Sequence, residues 1–168
     1  LVVNPNDEEA LKRVVNYPAR GIGNTTMGKI QMAATKAGVS LWEVICNPSF
    51  YNTSIGTATT SKLGAFRSLV TCFKDKAEGE DAFTLTRSLL AESGMMKDIY
   101  EGKDAEDVAR QENIDEFLNS IMMFVDTRRE EQDSPSVSVA DFLQEVALLT
   151  DLESDDGEQS KVSLMTVH

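Results

Sequence analysis

Between residues 18 and 29 the chain reads PARGIGNTTMGK, and this stretch separates two segments that both have a helical pattern. The residue before a proline avoids the helical region, so Tyr17-Pro18 predicts the end of the first helix. Asn24 or Thr25 is expected to cap the second helix. Apolar residues recur at helical spacing on both sides of the stretch, at Ala10, Leu11, Val14 and Val15 and again at Met27, Ile30, Ala33, Ala34 and Ala37.

The Gly-Ile-Gly turn in this stretch has the chemistry of an anion site. Glycine allows another backbone to approach closely, and the start of a helix offers free N–H groups and the positive end of a dipole. Phosphates are common ligands of such sites. Arg20, Thr25, Thr26 and Lys29 would add side-chain donors. From the residues alone, a tight helix–helix turn without any ligand remains the open alternative.

A nucleotide-binding P-loop is the competing interpretation, because residues 23–29 match the pattern G-x-x-x-x-G-K. The next residue of a P-loop is Ser or Thr, which holds magnesium, but Ile30 stands here. A P-loop also follows a buried strand, whereas a helical pattern precedes this one. We therefore expect Gly28 and Lys29 to lie inside the second helix, without a nucleotide.

The composition of the 168 residues is that of one water-soluble domain, with 41% hydrophobic residues and no apolar run near the roughly 20 residues that span a bilayer. No membrane association is expected. Cys46 and Cys72 are interpreted as reduced thiols. With His168 as the single histidine, no metal site is expected. The net charge of −12 repels nucleic acid at long range, so any DNA contact must be local.

The remaining pattern predicts a mainly α fold of about seven or eight helices. Gly38 should end the second helix, and Ser40-Leu41-Trp42-Glu43 fits a capping box for a short third one. Residues 47–60 are rich in Asn, Ser, Thr and Gly, which is typical of a loop. A long helix is predicted from Ala105 to near Arg129, and Ser138 is expected to cap the last helix.

Both termini carry short apolar segments with a β pattern, Leu1–Val3 and Val162–Val167. Isolated strands are not stable, so these segments are expected to belong to a sheet in a neighbouring domain. The predicted organisation is a helical insertion domain over residues 1–168, in which residues 1–4 and 162–168 are β stubs of the parent domain.

Several segments together resemble the 2B subdomain of UvrD/PcrA/Rep-type superfamily-one DNA helicases. The resemblance covers essentially the whole chain, and the combination and order of the segments are specific. They are Asn4–Asp7, Arg13–Gly23, the Leu-Trp helix at Ser40–Glu43, the Arg-Gln-Glu-Asn helix at Arg110–Phe117, Asp141–Asp151, and Val162–His168, which looks like the opening of helicase motif V.

The resemblance implies a fragment of an ATP-dependent 3′–5′ DNA helicase that acts in unwinding and repair. In the family, 2B is inserted in the second RecA-like domain, which agrees with β stubs at both ends. ATP, Mg²⁺ and the motor residues belong to the rest of the parent, so this fragment is expected to be no enzyme and to hold no cofactor. His168 matches the motif V histidine but lacks its neighbours here.

The family's Gly-Ile-Gly turn contacts duplex DNA ahead of the fork, and this implies a DNA-binding role for Arg20, Gly21, Ile22, Gly23, Thr25 and Thr26. The implied partners are a duplex or duplex–single-strand junction, the other helicase domains and partner proteins. The implied location is the bacterial cytoplasm, at the nucleoid. A second hypothesis is a regulatory, protein-interaction domain that controls the motor and binds little DNA itself.

Overall fold

Eight helices form in the part of the chain that the computed structural model describes, residues 1–132 and 137–154. The prediction of a mainly α fold with seven or eight helices is confirmed. From the N-terminus the helices are α1 (Glu8–Val14), α2 (Asn24–Ala37), α3 (Leu41–Cys46), α4 (Thr57–Lys76), α5 (Ala82–Glu92), α6 (Met95–Glu101), α7 (Ala105–Gln132) and α8 (Val139–Ser154).

Helices α1 to α4 pack around one apolar core. Ile22, the residue between the two turn glycines, is 1% exposed and lies in this core, while Gly21 and Gly23 beside it are exposed. The turn is therefore anchored by its central side chain and presents its backbone to solvent. The buried members of the core are Leu11, Val15, Ile22, Ile30, Ala34, Leu41, Val44, Ile45, Leu63, Phe66 and Val70.

A second core lies among α5, α7 and α8. Ala82, Ile121, Val125 and Val137 are buried in it, and Phe83, Phe124, Val139 and Phe142 pack against them. Polar contacts join the same elements. The Ala82 amide donates to the Val137 carbonyl (2.8 Å), and Arg128 of α7 pairs with Glu145 of α8.

The predicted helix signals at Gly38 and Ser138 are confirmed, and the capping box predicted at Ser40 forms in half, because the Glu43 carboxylate accepts from Asn47 and Tyr51 instead of the Ser40 amide. Gly38 ends α2 with φ +67°, a conformation that suits glycine. The Ser40 hydroxyl accepts from the Glu43 amide (3.2 Å), and the Ser138 hydroxyl accepts from the Asp141 amide (3.2 Å).

Two predicted boundaries are wrong. Gly23, rather than Asn24 or Thr25, occupies the N-cap of α2, because Gly23 has the extended backbone of a cap and Asn24 is already helical. The loop predicted to reach Thr60 ends at Gly56, where α4 begins. The amides of Thr59 and Thr60 donate to the Gly56 carbonyl (both 3.0 Å), so hydrogen bonding closes the first turn of α4 within the polar segment.

Residues 1–4 form no strand, and no other strand lies within the described ranges to pair with them. Leu1 instead packs against the core of α1 to α4. The other predicted β stub, residues 162–168, lies outside the described residues. The assignment of both stubs to a parent domain stays a prediction.

The start of α5 is held by a titratable cap. The Asp81 carboxylate accepts from the Thr84 amide (2.9 Å) and hydroxyl (3.1 Å), and it pairs with Arg129 of α7 (3.1 Å). Partial burial acts to raise the pKa of Asp81, but these hydrogen bonds and the Arg129 charge outweigh it and lower the pKa below its usual value.

Replacing Asp81 with Ala should lower the free energy of unfolding by about 0.5–2 kcal/mol at pH 7. Because the folded pKa is depressed, the difference from the wild type is full above the ordinary carboxyl pKa of about 4 and shrinks as pH falls through the lower folded value. Urea unfolding at several pH values measures it. Asp81→Asn is the control, since Asn still caps but cannot titrate. A pH-independent loss in Asp81→Ala would contradict the assignment.

Candidate nucleic-acid interface

The turn between α1 and α2 is closed by one side chain, that of Asn16. Its Oδ1 atom accepts hydrogen bonds from the backbone amides of Arg20 (2.9 Å) and Ile22 (3.0 Å). Between these two amides, Gly21 has φ +68°, which L side chains rarely adopt. Gly21 thus adopts a left-handed conformation, Ile22 is buried in the core, and Gly23 precedes α2 without a side-chain cap. These three environments account for the sequence Gly-Ile-Gly.

Arg20 lies at the turn, but its guanidinium points to backbone carbonyls. Nη1 donates to the carbonyls of Val14 (2.9 Å), Tyr17 (2.5 Å) and Pro18 (3.3 Å). Nη2 donates to the carbonyl of Ser93, the C-cap of α5 (3.2 Å). These bonds join the turn to the junction of α5 and α6.

An aromatic contact completes the environment of Arg20. Its guanidinium lies over the ring of Phe66 in α4, 5.5 Å from the centroid, and Phe66 packs edge to face with Trp42 (6.4 Å). Partial burial lowers the pKa of Arg20 from its usual value. The half-buried Arg20 side chain is thus engaged in contacts within the protein, and a direct contact with phosphate stays a prediction.

Four backbone N–H groups at the turn are left without a protein acceptor. Across residues 1–132 and 137–154, no hydrogen bond satisfies the amides of Gly21, Gly23, Asn24 and Thr25. The glycine cap supplies no side-chain acceptor, and the first turn of α2 contains no acidic residue. Free N–H groups at an uncapped helix start favour an anion.

A cation that the sequence did not point to lies beside these amides. The ammonium nitrogen of Lys62 in α4 is 2.5 Å from the position that a Cβ atom on Gly21 would occupy. Lys62 is exposed, and no ion pair or hydrogen bond engages it in the described part of the chain. Lys62 is 41 residues from Gly21 in the sequence, and the packing of α4 against the turn brings the two residues together.

The segment that contains this turn is nearly free of acidic residues, which are frequent in the rest of the chain. Residues 20–74 carry six basic side chains and one acidic one, a net charge of +5, whereas the other 113 residues carry ten basic and 27 acidic side chains, a net charge of −17. This asymmetry is visible in the sequence and could have drawn attention to this segment. The overall value of −12 conceals it.

The other predicted site residues, Thr25, Thr26 and Ile22, differ in how exposed they are to solvent. Thr25 is exposed and Thr26 is half-buried, and both lie in the first turn of α2. Ile22 has a buried side chain and a satisfied amide, so it contributes packing.

The P-loop alternative fails on its structural context. Gly28 and Lys29 lie inside α2, as expected, and residues 8–14 before the turn form a helix instead of a strand. The Lys29 ammonium donates to the Ser54 carbonyl (2.6 Å), away from the turn.

Within the described residues, no group of three or more metal-ligating side chains occurs, and no helix has the length and apolar character to cross a bilayer.

The described residues form a helical domain with an uncapped turn between α1 and α2, and comparison with known proteins gives its family. The sequence profile of the UvrD-like helicase C-terminal domain matches residues 1–168. The chain therefore belongs to the UvrD-like helicase C-terminal domain family.

Among curated proteins the chain is similar to bacterial helicases named PcrA. It is 32% identical over 168 residues to the ATP-dependent DNA helicase PcrA of Leuconostoc citreum, and 30% identical over 174 residues to that of Bacillus subtilis. The PcrA helicase of Staphylococcus aureus is 28% identical over 169 residues. Each match covers the whole chain but only 22% of the relative, so the chain spans about a fifth of these proteins.

Replacing Gly21 with Ala should lower the free energy of unfolding by about 1–2 kcal/mol, because φ +68° is strained for alanine. The Lys62 ammonium must also move, at small cost for a flexible side chain. Gly23→Ala is the matched control: φ is −85° and no atom lies within 4 Å of the new methyl group, so the loss should stay below about 1 kcal/mol. Urea unfolding of both variants measures the difference, and equal losses would contradict the geometry of the turn.

Proposed function

We propose that this chain is a 2B-type accessory subdomain of an ATP-dependent 3′–5′ DNA helicase, and that it holds the backbone of duplex DNA at the fork. Membership in the UvrD-like helicase C-terminal domain family and the printed activity of the PcrA relatives support the helicase context. ATP and Mg²⁺ would act in the rest of that helicase, in the bacterial cytoplasm, and the chain itself needs neither for its contact with DNA.

The observation that carries the proposal is the set of four unsatisfied amides beside a free ammonium group. The N–H groups of Gly21, Gly23, Asn24 and Thr25 match the acceptors of a phosphate, and Lys62 adds a positive charge at the same place. The hydroxyls of Thr25 and Thr26 supply further donors. Contacts of this kind fix the position of a duplex without reading its sequence.

The uneven distribution of charge along the chain favours the approach of DNA from one side. The +5 segment, residues 20–74, contains the turn and attracts a polyanion, while the remainder of the chain, at −17, repels it. A duplex would therefore approach from the side of α2 and α4. This explains how a chain with a net charge of −12 can contact DNA locally.

Arg20 and Ile22 serve the same function indirectly in this proposal. Arg20 holds the backbone carbonyls on both sides of the turn, and Ile22 anchors the turn in the core. Both are positioning residues in this proposal, since the half-buried Arg20 side chain and the buried Ile22 side chain hold the turn in place. The resemblance implied a DNA-binding role for Arg20, and in this proposal that role is indirect.

Asn24→Pro tests the backbone contact with little change to the fold. Asn24 is the first residue of α2, where proline is well tolerated, and the extended conformation of Gly23 suits a residue before proline. The variant removes one free N–H, so we expect affinity for a fluorescent duplex–single-strand junction to fall several-fold, by about 0.5–1.5 kcal/mol. Fluorescence anisotropy over a salt series measures it. Asn24→Ala, which keeps the N–H, is the matched control.

In the same assay Lys62→Gln should weaken binding and reduce the slope of log affinity against log salt by about one. Lys103→Gln removes an equal charge outside the basic segment and should leave the slope unchanged. If Asn24→Pro binds like Asn24→Ala, or if Lys62→Gln and Lys103→Gln behave alike, the phosphate does not lie at this turn.

A further inference from the structure

A groove of about 630 Å³ lies between α2 and the loop of residues 47–56. Met32 and Lys36 of α2 line one side of it, and Phe50 and Tyr51 of the loop line the other. Phe50 is 77% exposed and Met32 is 74% exposed. They are the two most exposed large apolar side chains in the described part of the chain, and both belong to this one groove.

The loop that carries Phe50 is held in place by internal contacts. Thr53 is buried and its hydroxyl donates to the Pro48 carbonyl (3.0 Å), while Lys29 of α2 donates to the Ser54 carbonyl (2.6 Å). Asn52 and Ser54 have φ of +47° and +50°, values that non-glycine residues seldom adopt. The loop thus presents Phe50 to solvent from a fixed backbone, which lowers the entropy cost of binding a partner.

The charges along the groove all have one sign. Lys29 and Lys36 line it, and its lining contains no acidic residue within the described ranges. Lys36 is exposed and forms no ion pair there, whereas Lys29 is engaged with Ser54. Glu43 does not line the groove, but its carboxylate accepts a hydrogen bond from the hydroxyl of Tyr51, which does (3.3 Å). The groove is therefore apolar at its walls and basic at its rim, in a chain of net charge −12.

We propose that this groove docks a short acidic segment of a partner protein. A bulky apolar side chain of the segment packs between Phe50 and Met32, and its carboxylates pair with Lys36. Exposed methionine and aromatic side chains are typical of surfaces that accept apolar anchors. A duplex backbone presents phosphates and sugars and no bulky apolar side chain that could pack between Phe50 and Met32, so charge and apolar surface together favour a peptide. The proposal goes beyond the DNA contact and does not depend on it.

The test uses synthetic peptides with one central Leu, Phe or Trp flanked by Asp and Glu, labelled for fluorescence anisotropy. Matched peptides replace the apolar residue with Ser, or each acidic residue with Lys. We expect the acidic apolar peptides to bind and both matched sets to bind about tenfold more weakly or worse. The methyl NMR signal of Met32 should shift only with the binding peptides.

Protein variants locate the contact. Phe50→Ser and Lys36→Glu change exposed side chains and should each weaken peptide binding about tenfold. Met123→Ser, which removes an apolar side chain that is 67% exposed on α7, is the control and should bind normally. Circular dichroism confirms that all three variants fold.

Three results would overturn the proposal. The first is that the acidic apolar peptides bind no better than their Ser-substituted counterparts. The second is that Met123→Ser weakens peptide binding as much as Phe50→Ser does. The third is that single-stranded oligo-thymidine binds in a Phe50-dependent manner and displaces the peptide, which would assign the groove to unpaired bases that stack on Phe50.

Discussion

The geometry of the candidate site depends on one guanidinium group, that of Arg20. It binds carbonyls at the end of the first helical segment and in the turn, and it reaches across to the carbonyl of Ser93 between α5 and α6. A charged donor that satisfies several carbonyls at once is costly to remove, because the part-buried carbonyls of Pro18 and Ser93 would lose this partner. Since Arg20 and Asn16 take up the polar groups inside the turn, the amides of its outer side stay free for a ligand.

The hydrogen bonds of Arg20 give it a structural role at the turn, while its direct contact with phosphate stays a prediction. An arginine next to Gly-Ile-Gly invites assignment as the phosphate ligand, but here the donors available to a phosphate are backbone amides and the ammonium group of Lys62. Backbone N–H groups donate hydrogen bonds without the need for basic side chains, so they can bind an anion in a chain of net charge −12. In the proposed DNA contact, the local +5 of residues 20–74 would supply the attraction that the whole chain lacks.

Much of the fold could be predicted from the sequence, because its signals are local. Apolar spacing predicted the helices, and Gly38, Ser40 and Ser138 marked their ends correctly. The start of α2 was missed because Gly23 can adopt the extended conformation of a cap as readily as Asn24. Contacts between distant segments left no local signal: neither the bond from Arg20 to Ser93 nor the position of Lys62 over Gly21 follows from spacing along the chain. The groove at Phe50 was hidden for the same reason, since it needs α2 and the loop together.

The most direct test is an NMR titration of the ¹⁵N-labelled chain with a duplex–single-strand junction, in which backbone amides and the Arg20 Nε–H are followed together. If the turn binds phosphate through its backbone while Arg20 supports it from within, the amide signals of Gly21, Gly23, Asn24 and Thr25 move on titration. The Arg20 side-chain signal then stays near its free position. Movement of the Arg20 signal with unchanged turn amides would show that the arginine itself is the ligand, and would contradict this account of the site.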